Sequence, residues 1–249
     1  MGFMVIAHRG ASSYAPENTV AAFDLAVRMG VHELELDVHA TGDAQLVVIH
    51  DDTVDRTTNG HGPVAGQTLA ALRALDAGSW FGERFAGERI PLFAEILERY
   101  QGRAHLHVEI KGHSARLSHR TVDLVRDHGM ESAVTITSFQ RAALEETRAY
   151  APDLPTGWLV PEATDAIIAD ARLLGATQLC PRAPTLTPEL VERLHAEGFV
   201  VRAWGVANET LMRQAVAAGA DGMTVNFPDK LLAYVTPSTA RRRSGSTDR

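Results

Sequence analysis

Glu33-Leu34-Glu35-Leu36-Asp37 alternates acid and leucine with the two-residue period of a β-strand. Its carboxylates therefore share one face and its leucines the other. Working outward, the same arrangement recurs along the chain. Val5-Ile6-Ala7 leads into His8-Arg9-Gly10, and Leu46-Val47-Val48-Ile49 leads into His50-Asp51. Leu106-His107-Val108-Glu109-Ile110-Lys111 closes on another carboxylate and an ammonium that share a face. Short apolar strands that each end in a chemically active group point to an α/β barrel, whose site is built where the strands finish.

The spacing of the remaining segments supports that reading. Strands are expected over 3–8, 33–38, 105–110, 133–138, 155–160, 177–181, 199–205 and 221–226. Helices are expected over 17–29, 92–100, 114–128, 140–149, 162–173, 187–197, 208–217 and 228–234, with Asn18 as the cap of the first. Eight βα units favour a closed (β/α)8 TIM barrel over an open doubly wound sheet. No helix opens on a Gly-x-Gly-x-x-Gly or phosphate-loop motif, which weakens a nucleotide-binding fold. Thr41-Gly42-Asp43-Ala44 reads as a hairpin turn that sends the chain back to His50, placing it near Asp37. Residues 52–90, rich in Gly, Thr and Asp with one helical piece near 68–75, form a small insertion after the second strand, read as a lid region. The expected organisation is thus one catalytic barrel over 1–235 and a disordered tail over 236–249.

Composition narrows the partners. The 249 residues carry a formal charge of -7 and are 45% hydrophobic, with Arg241-Arg242-Arg243 as the sole basic run. Nucleic acid is not expected as a partner. No stretch approaches the ~20 apolar residues of a membrane span. Cys180 is the only cysteine, read as a buried strand residue, so no intrachain disulfide forms. With no secretory leader visible at the amino terminus, a cytoplasmic protein is expected; the oligomeric state is open.

Glu35, Asp37 and Glu109 offer the all-oxygen donor set that a hard divalent cation such as Mg²⁺ or Ca²⁺ prefers. The competing reading makes them partners in salt bridges. Zinc is disfavoured because the cluster lacks cysteine. Among 11 histidines, His8 and His50 stand out because each ends a strand beside a charged residue. They are candidates for acid and base, since imidazole titrates near neutrality. Arg9 has the fork geometry for phosphate oxygens and Lys111 adds a compact charge, while both also serve to neutralise the carboxylates. His107 is expected to be hydrogen-bonded beneath the site. Arg202 is placed inward, with partners that the sequence does not identify. Trp204 is placed at the mouth, either walling a substrate or packing the core.

The ordered set His8-Arg9-Gly10, Glu17-Asn18-Thr19, Glu35-x-Asp37, His50-Asp51, Arg56-Thr57-Thr58-Asn59-Gly60, Ile90-Pro91, Glu109-Ile110-Lys111, Ser138-Phe139, Trp204-Gly205-Val206 and Asp221-Gly222 resembles the glycerophosphodiester phosphodiesterase family. The resemblance implies metal-dependent hydrolysis of glycerophosphodiesters, such as glycerophosphocholine or glycerophosphoethanolamine, to glycerol 3-phosphate and an alcohol. It implies one metal ion, Mg²⁺ or Ca²⁺, on Glu35, Asp37 and Glu109. His8 and His50 would then be acid and base, with Arg9 and Lys111 on the phosphate. Relatives often carry Thr-Asp where this chain has Val225-Asn226, a departure from the family pattern at that edge. Two alternatives are a lysophospholipase D-like or sphingomyelinase D-like lipid phosphodiesterase, whose acyl groove would fall on Trp80, Phe81 and Phe85, and a metal-dependent sugar-phosphate aldolase or isomerase. A Schiff-base mechanism is disfavoured because Lys111 and Lys230 are the only lysines.

Overall fold

The structure, a computed structural model, describes residues 2–112, 114 and 116–236. The tail expected over 236–249 lies, but for Thr236, outside the described residues. Eight parallel strands close a barrel: β1 (Met4–His8), β2 (Glu33–Ala40), β4 (His105–Ile110), β5 (Val134–Ser138), β6 (Thr156–Val160), β7 (Gln178–Pro181), β8 (Val200–Ala203) and β9 (Gly222–Val225). Closure is made where β1 pairs with both β9 and β2. β3 (Leu46–Val48) is the exception, antiparallel to β2 through Val38↔Val48 and Ala40↔Leu46. Ala44, in the left-handed region at φ +63, makes the turn between them. The expected hairpin therefore forms, and the Ile49 amide donates to the Asp37 carbonyl at 3.1 Å, which brings His50 to the mouth.

Outside the barrel run α1 (Val20–Arg28), α3 (Phe93–Tyr100), α4 (Leu117–Asp127), α5 (Arg141–Tyr150), α6 (Asp165–Leu174), α7 (Pro188–Ala196), α8 (Glu209–Ala217) and α9 (Pro228–Val235), with the short α2 (Leu69–Arg73) in the excursion after β3. α3 shows why these segments are helical: Phe93, Ile96, Leu97 and Tyr100 recur at the spacing that lines one face, and all are buried. The cap of α1 is Thr19, whose hydroxyl accepts from the Ala22 amide, rather than Asn18. Asn18 instead sits at φ +57 and commits its side chain to Asp37.

The main apolar core lies between strands and helices and takes the outward residues Leu34, Leu36, Val38, Leu106, Val108 and Ile110. The barrel interior is polar in contrast. Glu35, Asp37, His107, Glu109, Thr137, Gln178, Arg202 and Thr224 are all buried there. Residues 52–90 pack on a separate cluster of Val47, Ile49, Val54, Val64, Leu72, Ala77 and Ile90, beside the barrel.

Candidate active site

Register sets the site. β2 and β4 align Asp37 with Glu109 and Glu35 with His107, so the alternating inward face stacks acid on acid at the carboxyl ends. One carboxylate oxygen from each of Glu35, Asp37 and Glu109 lies within 4.8 Å of the others, and all three residues are buried. Burial and the neighbouring Asp37 and Glu109 carboxylates hold the Glu35 carboxyl well above its usual range. Burial and Asp37 push Glu109 up to about 7, against the pull of Lys111. Burial alone would raise Asp37 too, but Arg9, Lys111, His50 and the hydrogen bond from Asn18 outweigh it and keep it low.

Asp37 is the hub. Asn18 Nδ2 donates to its Oδ2 at 2.8 Å, and Arg9 Nε approaches the same oxygen at 3.2 Å. Its Oδ1 is buried without a hydrogen-bond partner among the described residues, with Lys111 Nζ no nearer than 3.6 Å. Three crowded carboxylates, one carrying an orphaned buried oxygen, fit a divalent cation held by oxygen donors. The alternative role of these acids, ion pairing, is also present: Lys111 Nζ reaches Glu109 at 2.9 Å.

Arg9 follows β1 in the left-handed region at φ +56, which turns its amide onto Glu35 Oε2 at 3.0 Å. Gly10 must be glycine, since at φ +81 an added Cβ would stand 2.5 Å from the Ala22 carbonyl carbon. Arg9 Nη1 donates to Glu17 at 2.8 Å. Glu17 also accepts from Arg56, which grips Asp51 through Nε at 2.7 Å and Nη2 at 2.9 Å. Asp51 in turn accepts from His50 Nδ1 at 2.6 Å, and His50 Nε2 has no partner among the described residues. His8 Nδ1 donates to Asn226 Oδ1 at 2.5 Å, and its Nε2 lies 4.0 Å from Glu35. Burial and the adjacent Arg9 charge lower His8 to about 4, although Asp37 and Asn226 partly oppose them.

These groups open on a cavity of about 400 Å³ lined by His8, Arg9, Glu35, His50, Glu109 and Lys111 on one side. Phe139, Leu159, Arg182, Trp204 and Val206 line the other. Trp204 meets Phe139 edge to face at 4.8 Å and donates Nε1–H to the Val160 carbonyl at 3.0 Å. It is thus both a wall and a packed residue. His107 Nε2 pairs with Glu33 at 2.8 Å beneath the acidic cluster. Cys180 is buried in β7. Trp80, Phe81 and Phe85 stack edge to face on one another at 5.6 and 5.5 Å, and none of them lines this cavity. Arg182 carries no signal in the sequence beyond its place after a strand, and Asn226 is marked there only as a departure from relatives, yet both border the cavity.

Fold and site together define a barrel enzyme whose mouth gathers three buried carboxylates able to hold a divalent cation, two histidines, Arg9 and Lys111. The glycerophosphoryl diester phosphodiesterase family model matches residues 8–230, and the chain belongs to that family. A glycerophosphodiester phosphodiesterase of Caldanaerobacter subterraneus is 38% identical over 239 residues, covering 94% of this chain and 98% of that protein. One from Bacillus subtilis is 33% identical, covering 91% and 84%. Among solved structures, an Oleispira antarctica phosphodiesterase in complex with the product sn-glycerol-3-phosphate superposes with TM-score 0.86 at 31% identity, covering 92% of this chain and 94% of that one. Among the described residues no helix is long and apolar enough to cross a membrane.

Proposed function

We propose that the protein hydrolyses glycerophosphodiesters to glycerol 3-phosphate and an alcohol, using Mg²⁺ or Ca²⁺ held by Glu35, Asp37 and Glu109. The observation that carries the reading is the convergence of these buried carboxylates with two histidines, Arg9 and Lys111 on one cavity. When bound, a hard divalent cation supplies positive charge to the non-bridging phosphate oxygens. Arg9 and Lys111 add to it, and their carboxylate partners hold them pointing at the mouth.

The two histidines differ in a way that suits opposite duties. His8, lowered to about 4, is neutral near pH 7, and donation from Nδ1 to Asn226 leaves the Nε2 lone pair available. It accepts the proton of the attacking hydroxyl, either water, which gives glycerol 3-phosphate directly, or the glycerol 2-hydroxyl, which gives a cyclic phosphate that water opens in a second displacement. His50 is oriented by Asp51, whose carboxylate compensates the positive charge of the ring when it acts as the acid. It gives its Nε2 proton to the departing alkoxide. The Arg9–Glu17–Arg56–Asp51 chain of ion pairs ties the phosphate-directed arginine to that acid, so both are held by one network. The residues 52–90 that supply Arg56 act here as a buttress beside the barrel. The reaction is confined to one barrel domain over 1–235 in the cytoplasm, with a small-molecule substrate.

The test is an enzyme-coupled assay of glycerol 3-phosphate from glycerophosphoethanolamine and glycerophosphocholine with added Mg²⁺ or Ca²⁺. Release from either supports the reading. No release from these or from a wider panel of diesters, with turnover of lysophospholipid instead, would replace it with the lipid phosphodiesterase.

A further inference from the structure

The cavity's two halves are electrostatically unlike. On the β1–β2–β4 side every cation has a carboxylate: Arg9 pairs with Glu17 and Asp37, and Lys111 with Glu109. On the β7–β8 side the two guanidinium groups, Arg182 and Arg202, form no ion pair among the described residues. Arg202 is 1% exposed, yet its Nε and Nη1 meet no hydrogen-bond acceptor, and the buried Thr224 hydroxyl beside the same cavity is also unpartnered. Buried polar groups are ordinarily satisfied. A wall that leaves them open is complementary to an anion or its bound water.

Arg182 is exposed at the rim, but its backbone is fixed. A parallel bridge couples it to Trp204, the Trp204 amide donates to the Pro181 carbonyl, and the Ala183 amide donates to the Trp204 carbonyl at 2.8 Å. Its stem passes Gly205, where an added Cβ would lie 3.3 Å from Arg182 Cγ. The guanidinium is thereby carried at the rim on strand ends. The aromatic pair is already engaged: Phe139 has Lys111 Nζ 5.6 Å from its ring centre and meets Trp204 in a T-shaped contact at 4.8 Å.

We propose that this wall selects glycerophosphodiesters whose alcohol carries an additional anionic group, a carboxylate or a second phosphate, and that Arg182 is the residue that recognises it. A planar fork of donors matches both groups. The inference rests on the glycerophosphodiesterase reading. It places the phosphodiester at the carboxylate side and the head group against β7 and β8.

Paired substrates test it. Glycerophosphoserine and glycerophosphoethanolamine differ by one carboxylate; glycerophosphoglycerol and its terminally phosphorylated form differ by one phosphate. For an ion pair at an accessible rim, kcat/KM should favour the anionic member about fivefold at low salt in at least one pair. Arg182→Gln should bring that ratio toward one, Arg182→Lys should restore part of it, and raised ionic strength should shrink it in the native protein. A merely structural Arg182 would not make the ratio salt-dependent. Equal rates within both pairs, or a preference that survives Arg182→Gln, would overturn the proposal while leaving the reaction class intact. Absence of release from all four diesters would remove the underlying reading, and the proposal with it.

Discussion

Replacing Glu109 by Gln should make the metal-free protein more stable while disabling it. Glu109 is 6% exposed and its carboxyl is raised from an ordinary 4.5 to about 7, because burial and Asp37 both oppose its ionisation. A group raised in the folded state contributes stability that is complete below its unfolded value and is lost as pH climbs through the folded one. Between 4.5 and about 7 the loss amounts to roughly 3 kcal/mol. The amide introduced by Glu109→Gln does not titrate, so the variant escapes that loss. The pull of the Lys111 ion pair at 2.9 Å is already contained in the value of about 7, so its loss subtracts nothing further. The net expectation is about 3 kcal/mol at pH 8, or roughly 6–12 °C in Tm for a chain of this size. Thermal unfolding of both proteins in chelator at pH 4.5 and pH 8 reads it. The curves should lie close together at the lower pH and separate at the higher, with the variant melting later. Saturating Mg²⁺ should then raise the native protein far more than the variant. A variant that melts earlier at pH 8, or whose pH dependence parallels the native protein's, would refute the claim that these carboxylates are held together at an electrostatic cost.

Three further expectations follow from single features. His50→Ala should lower kcat on the order of 10²- to 10⁴-fold, and Asp51→Asn should lower it in the same direction through the lost Nδ1 contact; near-normal turnover in His50→Ala would sink the two-histidine scheme. Because His8 takes up its proton only near 4, kcat/KM in saturating Mg²⁺ should hold its value from pH 7 down to about 5, and a halving already at pH 6.5 would be incompatible with His8 as the base. Gly10→Ala forces a Cβ to 2.5 Å from Ala22 at φ +81 and should cost about 2–3 kcal/mol, visible as an earlier urea midpoint; an unchanged midpoint would mean the β1–α1 turn is free to move.

Much of this architecture is legible in local sequence because the barrel repeats one rule. The period-two pattern of Glu33 to Asp37 sets which side chains face inward, and the polar turn at 41–44 announces the hairpin that returns His50. What escapes is pairwise and three-dimensional. Asn18 and Thr19 are both good caps by composition, and the choice falls to Thr19 because Asp37, 19 residues on, claims the Asn18 amide. Asn226 looks like a departure from its relatives at a strand end, and only β1–β9 pairing reveals that it orients His8 across 218 residues. Arg182 and Arg202 are distinguished by the partners they lack. No stretch of sequence records that, since it depends on where every carboxylate ends up.

The central claim is that Glu35, Asp37 and Glu109 form the cation site of a glycerophosphodiesterase. Its most direct test is glycerol 3-phosphate release before chelation, in chelator, and after return of Mg²⁺ or Ca²⁺, run beside Glu35→Ala with metal content measured on both proteins. The account predicts loss in chelator, recovery with metal, and a Glu35→Ala protein that neither retains the ion nor turns over. Release that persists in chelator, or a Glu35→Ala enzyme of near-native rate, would contradict it.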